Sequence, residues 1–208
     1  MLCLGQPGSK TQERDKMNGN LAYQDDAWIK RREELINGKV VMMSPPSTGH
    51  VSISGNIYYS FKKHLKGSKC RPFVDGVSVH LTGKDRFVPD MTIVCDPGKI
   101  KRTHIDGAPD LVVEILSPST AKYDRGYKKD VYESCGVPEY WIVDPVNRSI
   151  EIYTLAEGRY VVDGFYTLCD PEELAEMTDN DKARVISEFK CQRFDGPVIR
   201  LEEIFRDL

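Results

Sequence analysis

The stretch Leu111-Val-Val-Glu-Ile-Leu116 is aliphatic except at one position and predicts a central strand that is buried on both faces. Glu114 places a carboxylate inside this strand. Burying an unpaired carboxylate is costly, so Glu114 must be protonated, paired with a cation or bound to a metal. A buried ion pair with a lysine or arginine, or a strand end that reaches water, would explain it without any catalytic role.

A second carboxylate lies upstream, in Val88-Pro-Asp-Met91. Asp90 precedes an apolar run and therefore sits at or near the start of a strand predicted over 87–95. If this strand and the 111–116 strand are neighbours, Asp90 and Glu114 converge at one place. One or two carboxylates, with water and substrate phosphate, are typical ligands of Mg²⁺. The pair therefore has the parts needed for metal-assisted hydrolysis of a phosphodiester.

Downstream of Glu114, residues 120–134 predict a helix that begins directly after the central strand. Asp124, Lys128 and Tyr132 are spaced four residues apart, so they lie on one face of this helix. A lysine that folds back beside the strand can hold or deprotonate an attacking water and offset charge in the transition state. The alternative is a solvent-exposed lysine paired with Asp124.

The rest of the chain predicts more strands and helices around this centre. Helix formers over 23–34, and apolar residues spaced three and four apart over 50–65, predict two helices. Further strands are predicted over 39–43, 77–81, 140–143, 149–155 and 159–162. We therefore expect an α/β or α+β fold in a single domain over 21–208, preceded by a disordered tail over 1–20.

Composition and charge limit the function classes. The 208 residues carry a net charge of −3, which disfavours a generic nucleic-acid coat but not a local basic site. Residues 157–208 hold 7 basic and 13 acidic residues, whereas 62–129 hold 14 basic and 8 acidic ones. We expect the former to be an acidic C-terminal extension. Without an export signal or a membrane-spanning run, we also expect a cytoplasmic protein whose six cysteines are reduced thiols.

The order Pro89-Asp90, Glu114 and Lys128 makes the chain resemble a PD-(D/E)XK nuclease, and more narrowly the Uma-two family of restriction-type endonucleases. The resemblance runs from about residue 21 to residue 160. Its matching stretches are Glu34-Leu-Ile-Asn-Gly-Lys-Val40, Ser44-Pro-Pro-Ser47, His50, Val88-Pro-Asp-Met91, Gly107-Ala-Pro-Asp-Leu-Val-Val-Glu-Ile-Leu-Ser-Pro-Ser119, Asp124-Arg125, Lys128, Tyr132 and Gly136-Val-Pro-Glu-Tyr-Trp-Ile-Val-Asp-Pro145.

This resemblance implies a restriction-endonuclease-like core, a mixed central β-sheet flanked by α-helices. It also implies Mg²⁺ or Mn²⁺ held by Asp90 and Glu114, with the main-chain carbonyl of Ile115 as a further candidate ligand. Glu34, placed in the first predicted helix, matches an acidic position that the superfamily often puts near the metal.

The lead hypothesis is a metal-dependent DNA endonuclease in which Lys128 assists the attacking water. The family's lysine, two residues after Glu114, is replaced here by Leu116, and Lys128 matches the position thought to take its place. Candidate contacts to DNA either match a family position or supply positive charge. They are His50, Lys62, Lys63, Lys66, Lys101, Arg102, Lys122 and Arg125.

Two alternatives keep the same fold. In the first, the chain has lost turnover and binds nucleic acid or a partner, an idea supported by the missing lysine. In the second, the same carboxylates hydrolyse another phosphorylated substrate, and a small closed pocket in place of an open basic groove would favour it. A homodimer would suit cleavage of both strands of a duplex, because its two-fold axis can match that of the DNA.

Overall fold

The computed structural model describes residues 33–74, 76–206 and 208. The tail predicted over 1–20 and most of the helix predicted over 23–34 lie outside these residues. The strands are β1 (Glu33–Ile36), β2 (Lys39–Met42), β3 (Arg71–Val74), β4 (Ser78–Thr82), β5 (Asp85–Phe87), β6 (Met91–Val94), β7 (His104–Asp106), β8 (Leu111–Ile115), β9 (Glu139–Asp144), β10 (Ser149–Ala156), β11 (Arg159–Thr167), β12 (Glu188–Lys190) and β13 (Val198–Arg200). The α-helices are α1 (Thr48–His64), α2 (Ala121–Asp124), α3 (Tyr127–Ser134), α4 (Pro171–Glu176), α5 (Asp179–Lys182) and α6 (Leu201–Ile204).

The main sheet has six strands in the order β11-β10-β9-β8-β6-β3. The Glu114 strand, β8, is buried along its whole length, as the aliphatic run predicts. It pairs parallel with β9 and antiparallel with β6, so the sheet is mixed. The parallel pair requires a crossover, which α2 and α3 provide. In the β6–β8 register Met91 lies opposite Val113, so Asp90, which precedes β6, comes next to the end of β8 that carries Glu114.

A second sheet of five strands, in the order β2-β1-β5-β4-β7, contains the strand that carries Glu34. The prediction of a helix through Glu34 is wrong, because this residue lies on β1, which pairs antiparallel with β2. Asn37 and Gly38 form the turn between the two strands, and both have positive φ. An Asn-Gly pair in this conformation matches the twist of a two-residue hairpin and outweighs the helix preference of the residues before it.

Helix α1 confirms the helix predicted over 50–65, and its apolar face forms the centre of the core. Ile53, Ile57 and Phe61 are fully buried against the main sheet. The acidic C-terminal segment folds onto the same core through apolar residues such as Leu201 and Ile204. Among the described residues, no helix is long and apolar enough to span a membrane.

Two other predicted elements are each divided in the structure, one at a glycine and one at a proline. The helix predicted over 120–134 is divided into α2 and α3, because Gly126 adopts a non-helical ψ of −105°. The strand predicted over 87–95 is also two strands, β5 and β6, which belong to different sheets. Pro89 lies between them, where its missing N–H costs no ladder hydrogen bond. This interruption frees Asp90 from strand pairing.

The prediction of six reduced thiols is wrong for one pair, since Cys70 and Cys95 form a disulfide. The β3–β6 register sets Arg71 opposite Val94, which makes the two cysteines cross-strand neighbours. Cysteines far apart in sequence gave no sign of this pairing, which depends on the register. Cys135, Cys169 and Cys191 are free thiols.

Candidate active site

A cleft of about 400 Å³ lies where the end of β8 meets the start of α1. Its walls are the loop segments 43–47, 116–120 and 145–146. Its ionisable lining residues are His50, Asp90, Glu114, Asp124 and Lys128. The structure thus brings the three residues of the predicted motif, Asp90, Glu114 and Lys128, to one place, together with Ile115.

Asp90 is held in the cleft through both carboxylate oxygens. Its Oδ1 lies 2.8 Å from Nε2 of His50, and its Oδ2 accepts a hydrogen bond of 2.7 Å from the main-chain N–H of Ile115. The main-chain carbonyl of Asp90 also accepts a hydrogen bond from Ser54 Oγ. The contacts with His50 and Ile115 fix the orientation of the carboxylate.

Glu114 is 3% exposed, and the hydrogen bonds that reach its carboxylate within the described chain end on Oε1. The donors are the Tyr132 hydroxyl at 2.8 Å and the Lys128 ammonium at 3.3 Å. Burial raises the pKa of Glu114 well above its ordinary value, and Lys128 opposes this while Asp124 adds to it. A lysine therefore lies beside this buried carboxylate, as the ion-pair interpretation expects, and Oε2 receives no such bond within the described chain.

Lys128 is enclosed by three carboxylates. Its Nζ lies 2.9 Å from Glu34 Oε1, 3.3 Å from Glu114 Oε1 and 3.2 Å from Asp124 Oδ1. Burial alone would lower the pKa of Lys128, but the three carboxylates outweigh burial and raise it above its ordinary value. The alternative of a solvated lysine is wrong, because the side chain is only 3% exposed. We call Lys128 and its three carboxylates the lysine cage.

Asp124 also belongs to the site. The spacing along the helix face predicted that it lies near Lys128, but did not assign it a role in the cleft. Asp124 is 1% exposed, and its Oδ1 makes no hydrogen bond with any described residue despite its proximity to Lys128. Burial is the main reason why its pKa is raised. The Tyr140 hydroxyl donates to the main-chain carbonyl of Asp124 and so fixes the end of α2, a contact that no sequence spacing predicts.

Glu34 is buried and does not line the cleft. Its Oε1 accepts a hydrogen bond of 2.8 Å from the main-chain N–H of Val88, in addition to its ion pair with Lys128. This position links β1 to the segment that leads into Asp90. Its contact with the site therefore passes through Lys128.

The predicted DNA contacts other than His50 do not line the cleft. Lys62 and Lys63 lie at the far end of α1, about 20 Å from His50 at 1.5 Å per residue. Lys101, Arg102 and Lys122 are exposed at other positions, and Arg125 forms an ion pair with Glu151. Among the lining residues, Lys128 is thus the sole lysine or arginine.

The donor set at the cleft suits a hard divalent cation. The lysine cage contains three carboxylates and one ammonium. If all three carboxylates are ionised, the cage carries a net negative charge, which a bound cation would offset. The described residues contain no group of three or more His, Cys, Asp or Glu side chains in a metal-binding arrangement. An ion in the cleft could take ligands from Asp90, Glu114 and the Ile115 carbonyl, the set that the resemblance implies, and complete its shell with water, as Mg²⁺ commonly does.

A family model, Uma2, whose description is "Putative restriction endonuclease", matches residues 23–179. The chain belongs to the Uma2 family. The predicted resemblance is therefore confirmed. The Uma2 chain is also similar to "Uncharacterized protein slr1290" from Synechocystis sp., with 31% identity over 126 residues. That match covers 60% of this chain and 66% of the relative, which is just under two thirds of the relative's length.

A solved structure supports the fold assignment. The crystal structure of "a putative nuclease belonging to DUF820" from Anabaena variabilis matches with a TM-score of 0.58 and 16% identity. The match covers 85% of this chain and 90% of that one. The predicted restriction-endonuclease-like fold, a mixed sheet flanked by helices, is confirmed by this likeness.

Proposed function

We propose that this Uma2 chain is a metal-dependent DNA endonuclease that holds Mg²⁺ or Mn²⁺ with Asp90 and Glu114. The observation that carries the proposal is the convergence of both carboxylates and Lys128 in one cleft. The description of the family, which names a restriction endonuclease, agrees with this chemistry. Cytoplasmic location and a homodimer stay predictions.

The chain's own residues prepare the site for hydrolysis. A bound divalent ion would polarise a phosphoryl oxygen and lower the pKa of the attacking water. Asp90 is already oriented by Ile115 and His50, and so needs little reorganisation to act as a ligand. Glu114 offers Oε2, since its Oε1 is engaged by Tyr132 and Lys128.

Lys128 contributes a fixed positive charge. Its ammonium lies within 3.3 Å of three carboxylates, which favour its charged form. Of the two roles predicted from the sequence, we therefore propose the one that offsets charge on the phosphoryl group as water attacks and the P–O bond to the leaving sugar oxygen breaks. Glu34 and Asp124 hold the ammonium at that position.

DNA contacts would lie outside the cleft. The basic side chains at the end of α1 and before β7 can bind phosphates some distance from the scissile bond, which positions a strand without reading its sequence. Arg125 is partly neutralised by its acidic partners and would contribute less.

A second candidate function is favoured by the size of the cleft. A volume of about 400 Å³ lies in the range of pockets for small ligands, and no arginine of the described residues lines it. Hydrolysis of a smaller phosphodiester by the same carboxylates fits this observation. Cleavage of bis(p-nitrophenyl) phosphate without cleavage of DNA would favour this candidate.

The test is cleavage of supercoiled plasmid in Mg²⁺ or Mn²⁺ by purified full-length chain. Wild type should nick the plasmid, whereas Asp90→Asn and Glu114→Gln should lose at least about 100-fold in rate, as is typical when a metal-assisted site is broken. Glu133→Gln is the matched control, because Glu133 pairs with Arg159 and does not line the cleft. Equal cleavage by all variants, or none by wild type with either metal, would refute the nuclease proposal. Metal binding without cleavage would favour a binding protein.

A further inference from the structure

The imidazole of His50 meets the carboxylate of Asp90 at the edge of the cleft. Nε2 of His50 lies 2.8 Å from Oδ1 of Asp90, and the two side chains are only 16% and 12% exposed. We propose that His50 is a positioning residue that orients Asp90 for a divalent cation, rather than a contact to DNA phosphate. This inference rests on the proposed function, because it assigns Asp90 to the metal.

The sequence places His50 there through the start of α1. Ser47 follows two prolines and caps the helix, with its Oγ accepting the main-chain N–H of His50 at 3.2 Å. The cap fixes where the first turn begins and therefore where the imidazole projects. A histidine in the first turn of a capped helix is held more tightly than one on a free loop.

The hydrogen bonding assigns the imidazole its role. An ionised carboxylate only accepts hydrogen bonds, so in a contact with ionised Asp90 the imidazole is the donor through Nε2. With Ile115 N–H on Oδ2, each oxygen of Asp90 has one protein donor and retains a further lone pair. The two donors approach from α1 and β8, and together they prevent the carboxylate from rotating.

His50 also borders two spaces. A second cavity of about 230 Å³ lies beside the cleft and is lined by His50, Asp90 and largely apolar neighbours such as Val51 and Val74. Both His50 and Asp90 belong to both linings. Loss of the imidazole would join these spaces and give the Asp90 side chain room to turn away from Glu114.

Groups that orient a metal ligand have a measurable signature. Their removal typically weakens metal binding by about 10–100-fold, although they do not touch the ion. A phosphate contact behaves differently, because its removal weakens DNA binding and leaves metal affinity unchanged. Metal affinity therefore distinguishes the two roles of His50.

The experiment measures Mn²⁺ affinity by electron paramagnetic resonance on the full chain without DNA. We expect His50→Ala to bind Mn²⁺ about 10–100-fold more weakly than wild type. His50→Gln should recover affinity to within a few-fold, because the Gln amide can place a donor near the position of Nε2. His64→Ala is the matched control, since His64 is an exposed histidine at the other end of α1. If His50→Ala does not fold, His50→Leu replaces it.

Wild-type affinity in His50→Ala or His50→Leu, or equally weak binding by His50→Gln, would overturn the positioning role. A lower melting temperature with unchanged Mn²⁺ affinity would show a purely structural contact and would also overturn it. Glu114→Gln is measured alongside. If wild type binds no Mn²⁺, or binds it no more tightly than Glu114→Gln does, the proposed metal site itself fails, and the inference fails with it.

Discussion

Asp90 Oδ2 accepts a hydrogen bond of 2.7 Å from the main-chain N–H of Ile115, the residue that follows Glu114. This bond ties one candidate metal ligand to the backbone beside the other, while His50 holds the second oxygen of the same carboxylate from α1. A carboxylate on a free loop would lack this constraint. The position of Asp90 thus depends on the central strand and on the first turn of α1 together.

Removing the charge of Lys128 should destabilise the fold strongly. Lys128→Met leaves three buried carboxylates without a cation, and breaking such a pair costs about 3–5 kcal/mol. Urea unfolding measures the loss. Lys122→Met is the matched control, since Lys122 is exposed on the neighbouring helix and should change stability by less than about 0.5 kcal/mol. Similar unfolding midpoints for the two variants would contradict the lysine cage.

Glu139→Gln should stabilise the protein at neutral pH. Burial raises the pKa of Glu139, whose Oε1 accepts a hydrogen bond of 2.6 Å from Trp141 Nε1. A raised folded-state pKa means that the protonated form stabilises the fold, and this contribution is lost as pH rises from the unfolded pKa through the folded one. Gln keeps the acceptor and cannot ionise. Its advantage over wild type should therefore be larger at pH 7 than at pH 4.

Denaturant unfolding at both pH values tests the Glu139 prediction. Taking the difference between variant and wild type cancels the other titrating groups, which are common to both proteins. An advantage of Gln that is equal at the two pH values, or larger at pH 4, would contradict it.

The distant basic side chains should control the salt dependence of DNA binding. Fluorescence anisotropy in Ca²⁺ between about 50 and 200 mM salt measures it. A triple change of Lys62, Lys63 and Lys66 to Ala should lower the slope of log affinity against log salt by about one for each lost phosphate contact. Lys190→Ala is the control, because Lys190 already pairs with Asp195. An unchanged slope in the triple variant would place the DNA elsewhere.

Much of the site could be predicted from sequence because it depends on strands with clear patterns. The aliphatic run around Glu114 identified the buried strand, and Asp90 converges on it because β6 and β8 are neighbours. Lys128 Nζ lies 3.2 Å from Asp124 Oδ1, as their four-residue spacing predicts, although Gly126 divides the helix between them.

Contacts between distant segments could not be predicted. Glu34 reaches Lys128 only because β1 and β5 pair in a second sheet, and an Asn-Gly hairpin rather than a helix places it there. His50 reaches Asp90 across 40 positions, through the packing of α1 against the main sheet. Sequence spacing carries no information about either contact, since both depend on how elements pack.

The most direct test of the central claim is a crystal of the full chain soaked in Mn²⁺, with an anomalous difference map recorded at the manganese edge. We expect one peak between Asp90 and Glu114, with carboxylate oxygens at about 2.1 Å as for Mg²⁺. The same soak of Glu114→Gln should lose the peak. A well-ordered cleft without a peak, or a peak that stays in Glu114→Gln, would contradict the assignment of these two carboxylates as the metal ligands.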